Sequence, residues 1–209
     1  MRFSDSLKMF REQLPHIGAV HTVRVECQSY LPDWRPDRPY REGYAARRNE
    51  GGVLRDLIHE IDYATWCFGW PTRLFGRVQN LGRLGIDADE IAELSWQAPT
   101  GELVSIHVDY LTRPVRRRMC AYGAQGSLEW DAIQQTVTLW PLTTTPQTWT
   151  LTQPLDAMFS AQANAFVQAT GSRRDPRLAS SEDGLKALAI CDAARRASET
   201  QREDVVRYE

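Results

Sequence analysis

The sequence predicts an α+β fold with one large, mainly antiparallel β-sheet of six or more strands and helices on one face. Two observations carry this prediction. Strand-like runs follow one another from Leu74 to Trp140, and short turns rich in glycine separate them. Helical patterns precede and follow this block rather than alternating with it. Strands joined by short turns pair antiparallel, and helices segregated from strands are typical of the α+β class.

The N-terminal part supplies helical segments, one strand and a long loop. A helix is predicted over Ser4–Gln13, and the alternation of apolar and polar residues predicts a strand over Ala19–Gln28. The segment Tyr30–Tyr44 contains three prolines and is predicted to be a loop. Two glycines then precede a predicted single helix over Val53–Phe68, which Gly69 ends.

The remaining chain completes one predicted domain over residues 1–209. Two helices are expected near the C-terminus, Met158–Thr170, ended by Gly171, and Gly184–Ser198, preceded by a capping signal at Ser180 or Ser181. The predicted strands are Phe75–Leu81, Ile91–Trp96, Leu103–Leu111, Arg117–Tyr122, Ser127–Trp130 and Thr136–Trp140, with a further candidate at Thr148–Thr152.

Composition narrows the function classes. The formal net charge of −2 gives no general attraction to nucleic acid or anionic lipid, and the run Arg113–Arg118 is interpreted as the solvated start of a strand. The four cysteines show no CxxC spacing, so reduced thiols are expected and no metal site is predicted. No apolar run is long enough to span a membrane, and no signal peptide is recognisable, so a cytoplasmic protein is expected.

The segment Gly51–Pro71 (GGVLRDLIHEIDYATWCFGWP) carries a family resemblance. It resembles the Gly-Gly–Asp–His–Asp–Trp–Gly helix of the Gfo/Idh/MocA oxidoreductases, and the order of the other predicted elements along all 209 residues agrees. The resemblance implies the C-terminal, substrate-binding and dimerisation domain of an NAD(P)-dependent enzyme. Its substrate would be a sugar, a sugar nucleotide or a cyclitol.

The family's nucleotide-binding half is not recognisable in this sequence. No Gly-x-Gly-x-x-Gly loop and no Glu-Lys-Pro motif occur, and the only lysines are Lys8 and Lys186. A dinucleotide pyrophosphate normally sits on such a loop, so no cofactor is expected to bind to this chain alone. The resemblance implies NAD or NADP for a full-length relative, and the chain alone is expected to be inactive.

Asp56 and His59 are the candidate catalytic residues. They lie three positions apart on one predicted helix and would therefore share a face. The resemblance implies that the histidine takes a hydroxyl proton as general base and that the aspartate orients it. Many family members place the acid four residues before the histidine, a position held here by Arg55. Asp62 is interpreted as a structural acceptor or a further site residue.

The candidate substrate-binding residues combine aromatic rings with arginines, which suit the stacking of sugar rings and the binding of anionic groups. The same loop could equally be a solvated surface loop. These residues are Trp34, Arg35, Arg38 and Tyr40 in the long loop, and Arg47 just before the glycine pair.

Two functions remain open at this stage. The first is the substrate-binding domain of a dehydrogenase or reductase, and the second is a truncated, non-catalytic carbohydrate-binding or oligomerisation protein. A homodimer through the uncovered sheet face is predicted, because several tryptophans need burial and few helices are available to cover both faces. Those tryptophans are Trp96, Trp130, Trp140 and Trp149.

Overall fold

A computed structural model describes residues 1–169 and 174–208. The predicted helix end at Gly171 lies outside these residues. In chain order the elements are α1 (Asp5–Gln13), β1 (Val20–Gln28), α2 (Val53–Asp56), α3 (Ile58–Phe68), β2 (Arg73–Gln79), β3 (Ile91–Gln97), β4 (Leu103–Asp109), β5 (Arg116–Gly123), β6 (Gly126–Asp131), β7 (Thr136–Pro141), β8 (Gln147–Thr150), α4 (Leu155–Gln168), α5 (Ser181–Thr200) and β9 (Asp204–Val205).

The described residues form one nine-stranded sheet in the order β8-β7-β6-β5-β1-β4-β3-β2-β9. Neighbouring strands pair antiparallel except for β1 and β4, which run parallel with Val25 beside Ile106. This arrangement confirms the predicted mainly antiparallel sheet. The parallel pair was not anticipated, and it places the C-terminal ends of β1 and β4 at the same edge.

One face of the sheet packs against the helices and forms the core. Val104, Ile106, Val108 and Tyr110 are all buried there, as the alternation along β4 predicts. Helices α1, α3 and α5 contact strands across this face. Helix α5 follows a capping box between Ser180 and Asp183, so the predicted capping signal is confirmed, but the helix itself starts at Ser181 rather than at the predicted Gly184.

The opposite face is polar at its centre, and three of the four tryptophans given as the reason for a dimer surface do not lie on it. Trp96 and Trp130 lie buried under the helices rather than on this face, and the half-buried Trp149 pairs beside the buried Val137. Trp140 lies on the open face with 39% of its surface exposed. The centre of that face carries Arg24, Glu26, Glu93, Ser105, His107, Cys120 and Glu129.

The predicted continuous helix over Val53–Phe68 is wrong. Leu57 leaves the helical conformation with φ −97° and ψ 29°, and it separates α2 from α3. The two halves are anchored to different elements. The Asp89 carboxylate accepts the backbone N–H of Leu54 at 3.0 Å, whereas Glu60 pairs with Arg117 of β5 at 2.7 Å. Asp56 and His59 therefore do not share a helix face.

Among the described residues, no helix combines the length and the apolar character that a bilayer crossing requires.

Candidate functional site

A cavity of about 430 Å³ opens between the long loop after β1 and the start of α2. Ligand pockets in proteins typically have volumes of this order. The lining brings together five of the predicted site residues, Trp34, Arg35, Arg38, Tyr40 and Asp56. The other lining residues are Leu31, Pro39, Glu42, Gly43, Tyr44 and Ala45.

The Asp56 carboxylate is held by a tyrosine hydroxyl. The hydroxyl of Tyr110, a fully buried residue, donates to Asp56 Oδ2 at 2.6 Å. Burial and then this hydrogen bond raise the pKa of Tyr110 far above its ordinary value, so the hydroxyl keeps its proton and acts as a donor. A hydrogen bond to Asp56 also raises the pKa of the Tyr44 hydroxyl. The carboxylate is thus oriented on the cavity wall by the neutral hydroxyl of Tyr110, with the Tyr44 hydroxyl nearby.

Tyr110 also supports an aromatic wall of the cavity. Its ring meets that of Trp34 edge to face, with centroids 5.4 Å apart and an interplanar angle of 87°. The indole Nε1 of Trp34 donates to Ser29 Oγ at 2.8 Å, and the Tyr40 hydroxyl donates to the backbone carbonyl of Leu84 at 3.0 Å. The two aromatic residues predicted for substrate binding are therefore fixed by the protein around the cavity.

The glycine pair lets the loop approach the start of α2. A Cβ on Gly51 would lie 2.4 Å from the carbonyl oxygen of Tyr44, and a Cβ on Gly52 would lie 2.4 Å from Asp89 Oδ1. Gly52 also has φ +91°, in the region that favours glycine. Only glycine at these two positions lets the loop pack this closely against the start of α2, and this packing brings Tyr44 and Asp56 to the lining of one cavity.

Arg47 and His59 do not belong to the cavity lining. Arg47 is exposed and forms an ion pair with Glu50 at 2.9 Å. His59 is also exposed, and no hydrogen bond joins it to Asp56 within the described residues. Atoms packed around His59 nevertheless lower the pKa of its ring by partial desolvation, against the opposing effect of Glu60, and this favours the neutral imidazole.

Asp62 has a structural contact. Its carboxylate oxygens accept from Arg2 Nη2 at 2.6 Å and Arg2 Nε at 3.1 Å, a bidentate pair that ties α3 to the N-terminal segment. Of the two interpretations left open by the sequence, the structure supports the structural acceptor.

Sequence reasoning did not identify Tyr110 and Tyr44 as parts of the site. Tyr110 follows the apolar alternation of β4 and is predicted as a core residue, which it also is. The available signal was its hydroxyl, because a buried tyrosine hydroxyl usually needs a hydrogen-bond partner. Tyr44 is the last residue of the predicted loop, and nothing in the sequence around it indicates that its side chain lies near Asp56.

No group of three or more histidine, cysteine, aspartate or glutamate side chains in the described part of the chain is arranged to hold a metal ion. A dinucleotide also lacks a fitting site there. Its pyrophosphate usually lies on a glycine-rich turn between a strand and a helix of a parallel sheet, whereas the sheet here is antiparallel apart from β1 and β4.

Several solved structures with this fold are described as oxidoreductases or dehydrogenases. Levoglucosan dehydrogenase in complex with NADH superposes with a TM-score of 0.85 at 15% identity over 99% of this chain and 64% of its own length. An oxidoreductase from Agrobacterium radiobacter in complex with NAD⁺, L-tartaric acid and magnesium gives 0.82 at 17% identity, over 99% and 63%. An oxidoreductase domain protein from Kribbella flavida gives 0.81 at 18%, over 99% and 64%.

This chain thus spans less than two thirds of the length of these structures. No curated protein matches it in sequence. The model of the GFO/IDH/MocA C-terminal domain matches residues 15–129, more than half of the chain. The chain therefore belongs to the GFO/IDH/MocA family, in which it corresponds to the C-terminal domain.

Proposed function

We propose that this chain is the substrate-binding domain of an NAD(P)-dependent oxidoreductase that acts on a hydroxyl or carbonyl group of a sugar, a sugar nucleotide or a cyclitol. Family membership and the likeness to a levoglucosan dehydrogenase bound to NADH and levoglucosan support this proposal. The single observation that carries it is the Asp56 carboxylate, which lies on a cavity wall beside Trp34. Aromatic faces and oriented carboxylates suit the stacking and hydroxyl recognition of a carbohydrate.

The described residues account for the substrate side of such a reaction. Asp56 would accept a hydrogen bond from a substrate hydroxyl, while Tyr110 holds the carboxylate in position. The ring of Trp34 would exclude water from one side of the bound molecule. The dinucleotide would be held by another domain, because the described residues do not fit its pyrophosphate, and the chain alone would be inactive.

His59 is proposed as the group that takes the proton from the substrate hydroxyl. Its lowered pKa favours the neutral ring near pH 7, the form that can accept a proton. Its position outside the cavity lining means that the substrate would have to extend beyond the cavity to reach it. In an enzyme containing this domain, His59→Ala should lower turnover by about 10²–10⁴-fold. A loss of less than about threefold would remove His59 from this role.

Ligand titration of the chain by nuclear magnetic resonance tests the binding proposal. The indole N–H of Trp34 is a reporter inside the cavity and can be assigned by comparison with Trp34→Phe. We expect levoglucosan or L-sorbose to shift this signal in a saturable manner. Asp56→Asn should weaken the binding, whereas Asp37→Asn, on the same loop but outside the lining, should not. If the Trp34 signal moves neither with these neutral sugars nor with a charged sugar, the cavity is not a carbohydrate site.

The exposed position of His59 favours a second candidate, a non-catalytic carbohydrate-binding or oligomerisation protein. The reading frame upstream of Met1 separates the two. An in-frame Gly-x-Gly-x-x-Gly loop and Glu-Lys-Pro motif there would support the enzyme, and a ribosome-binding site directly before Met1 would support the second candidate.

A homodimer through the open sheet face is part of the proposal. Phe75, Leu103, Tyr122 and Trp140 are exposed on that face around its charged centre, and such apolar surface favours association. Light scattering on the purified chain checks it, and a monomer at high micromolar concentration would refute it.

A further inference from the structure

Arg35 and Arg38 bring two unpaired positive charges to the cavity. Neither guanidinium forms an ion pair or a hydrogen bond with any other residue in the described ranges, although both line the cavity. Two neighbouring arginines, Arg41 and Arg47, are occupied. Arg41 donates to a backbone carbonyl at 3.0 Å, and Arg47 pairs with Glu50. The donors of Arg35 and Arg38 are therefore available to a ligand.

The two arginines are close along one turn of the chain. The backbone N–H of Arg38 donates to the carbonyl oxygen of Arg35 at 3.0 Å, which makes a local turn between the residues. Both residues are exposed and line the cavity. Guanidinium groups match the geometry of carboxylate and phosphate oxygens, since they donate two parallel hydrogen bonds to them.

The acidic groups of the cavity form no ion pair with these arginines within the described residues. Asp56 accepts the hydroxyl of Tyr110, so its carboxylate already has a hydrogen-bond donor of its own. Glu42 also lines the cavity, but it forms no ion pair with either arginine. The lining thus offers a hydroxyl acceptor at Asp56 and, separately, two free cationic donors.

We propose that the ligand of this cavity is a polyol that carries an oxyanion, either a carboxylate or a phosphate. Its hydroxyl groups bind Asp56, and its anionic group binds Arg35 and Arg38. This inference rests on the proposed function and defines its substrate more narrowly. A neutral sugar would leave both guanidinium groups without a partner. The hydrogen bonds between these groups and the oxyanion of the ligand supply the preference for the charged molecule.

Three matched probes test the inference, D-glucose, D-glucuronate and D-glucose 6-phosphate, with levoglucosan as the reference for carbohydrate binding. Affinities are measured by calorimetry, and occupancy of the cavity is confirmed on the Trp34 indole signal. We expect the better of the two anions to bind at least about fivefold more tightly than glucose at low salt, and this preference should shrink as salt screens the exposed charges. The two anionic probes also distinguish a carboxylate site from a phosphate site.

Arginine variants locate the preference in the cavity. Arg35→Gln and Arg38→Gln should each remove most of it, while leaving the affinity for glucose within about twofold. Arg35→Lys should retain only part, because lysine keeps the charge but loses the paired donors. Arg47→Gln, the same change outside the lining, should have no effect. Glu42→Gln should strengthen anion binding, since it removes a negative charge from the lining.

The outcomes separate this inference from the proposed function. An anion preference that disappears in the Arg35 and Arg38 variants supports both. Binding of levoglucosan or glucose without an anion preference, or a preference unchanged in these variants, overturns the inference and leaves the carbohydrate site. Binding of none of the four probes overturns the carbohydrate site and the inference together.

Discussion

His107 lies between two carboxylates on the open face of the sheet. Its Nδ1 is 2.6 Å from Glu93 Oε2, and its Nε2 is 3.2 Å from Asp109 Oδ2. Both ring nitrogens can donate only when the imidazole is protonated. Asp109 is buried and also accepts from Gln28 at 2.8 Å and from the backbone N–H of Thr112 at 2.7 Å, so it stays in place as an anion. Hydrogen bonds first to Asp109 and then to Glu93 raise the pKa of His107 to about 10.

This shift predicts how stability depends on pH. The folded protein holds the His107 proton more tightly than the unfolded chain, whose histidine has an ordinary pKa of 6.5. The stabilisation is therefore complete below about pH 6.5 and is lost as the pH rises towards about 10. The full shift corresponds to an upper bound of about 5 kcal/mol. Because Glu93 is 54% exposed and screened by water, we expect about 1–3 kcal/mol.

Urea unfolding of the wild type and His107→Gln between about pH 6 and pH 10 measures this contribution. Glutamine can keep one hydrogen bond but binds no proton. The wild-type free energy of unfolding should fall by about 1–3 kcal/mol more than that of the variant across this range. His16→Gln, which replaces an exposed histidine elsewhere, should follow the wild-type curve. Equal pH dependence in the wild type and His107→Gln would refute the assigned role of the two carboxylates.

Two further predictions concern stability. Arg117→Met leaves the fully buried Glu60 carboxylate without its charged partner and should lower the free energy of unfolding by about 3–5 kcal/mol. Adding Glu60→Gln to this variant should recover a large part of the loss, because no buried charge is then left unpaired. If the two substitutions instead give additive losses in denaturant unfolding, Arg117 and Glu60 do not act as a pair. Gly52→Ala should cost about 2 kcal/mol or more, because its φ is +91° and the new Cβ would lie 2.4 Å from Asp89 Oδ1. Gly82→Ala, with positive φ but no atom within 4 Å, measures the backbone part alone, and an equal loss in both variants would exclude the contact with Asp89.

The strands and the core could be predicted because their signals are local. Alternation along Leu103–Leu111 gives the buried face directly, and the structure buries Val104, Ile106 and Val108 as expected. The capping box at Ser180 is likewise encoded within four residues. Such patterns need no knowledge of what the element packs against, so they remain valid in the folded protein.

The break at Leu57 could not be predicted, because its causes lie far along the chain. Leu54 is held by Asp89, which follows 35 residues later, and Glu60 is held by Arg117, which follows 57 residues later. The segment itself has an uninterrupted helical pattern without proline or an internal glycine. Tertiary contacts therefore override a correct local preference here, and the predicted shared face of Asp56 and His59 is lost with it.

The position of the cavity follows from the parallel pairing of β1 and β4. Parallel strands end at the same edge of a sheet, and here the pairing continues past both strands, since the Leu31 N–H donates to the Tyr110 carbonyl at 3.0 Å. The long loop that follows β1 is thereby fixed beside Tyr110, whose hydroxyl reaches Asp56. Local sequence patterns predict antiparallel pairing between strands that short turns connect. They could therefore identify the residues of the long loop after β1, but they could not show that this loop folds against the end of β4. Tyr110 is consequently both a core residue and the link between the sheet and the site. In such a domain, sequence reasoning should first examine polar side chains that are predicted to be buried at the end of a strand, because ligands bind where parallel strands end.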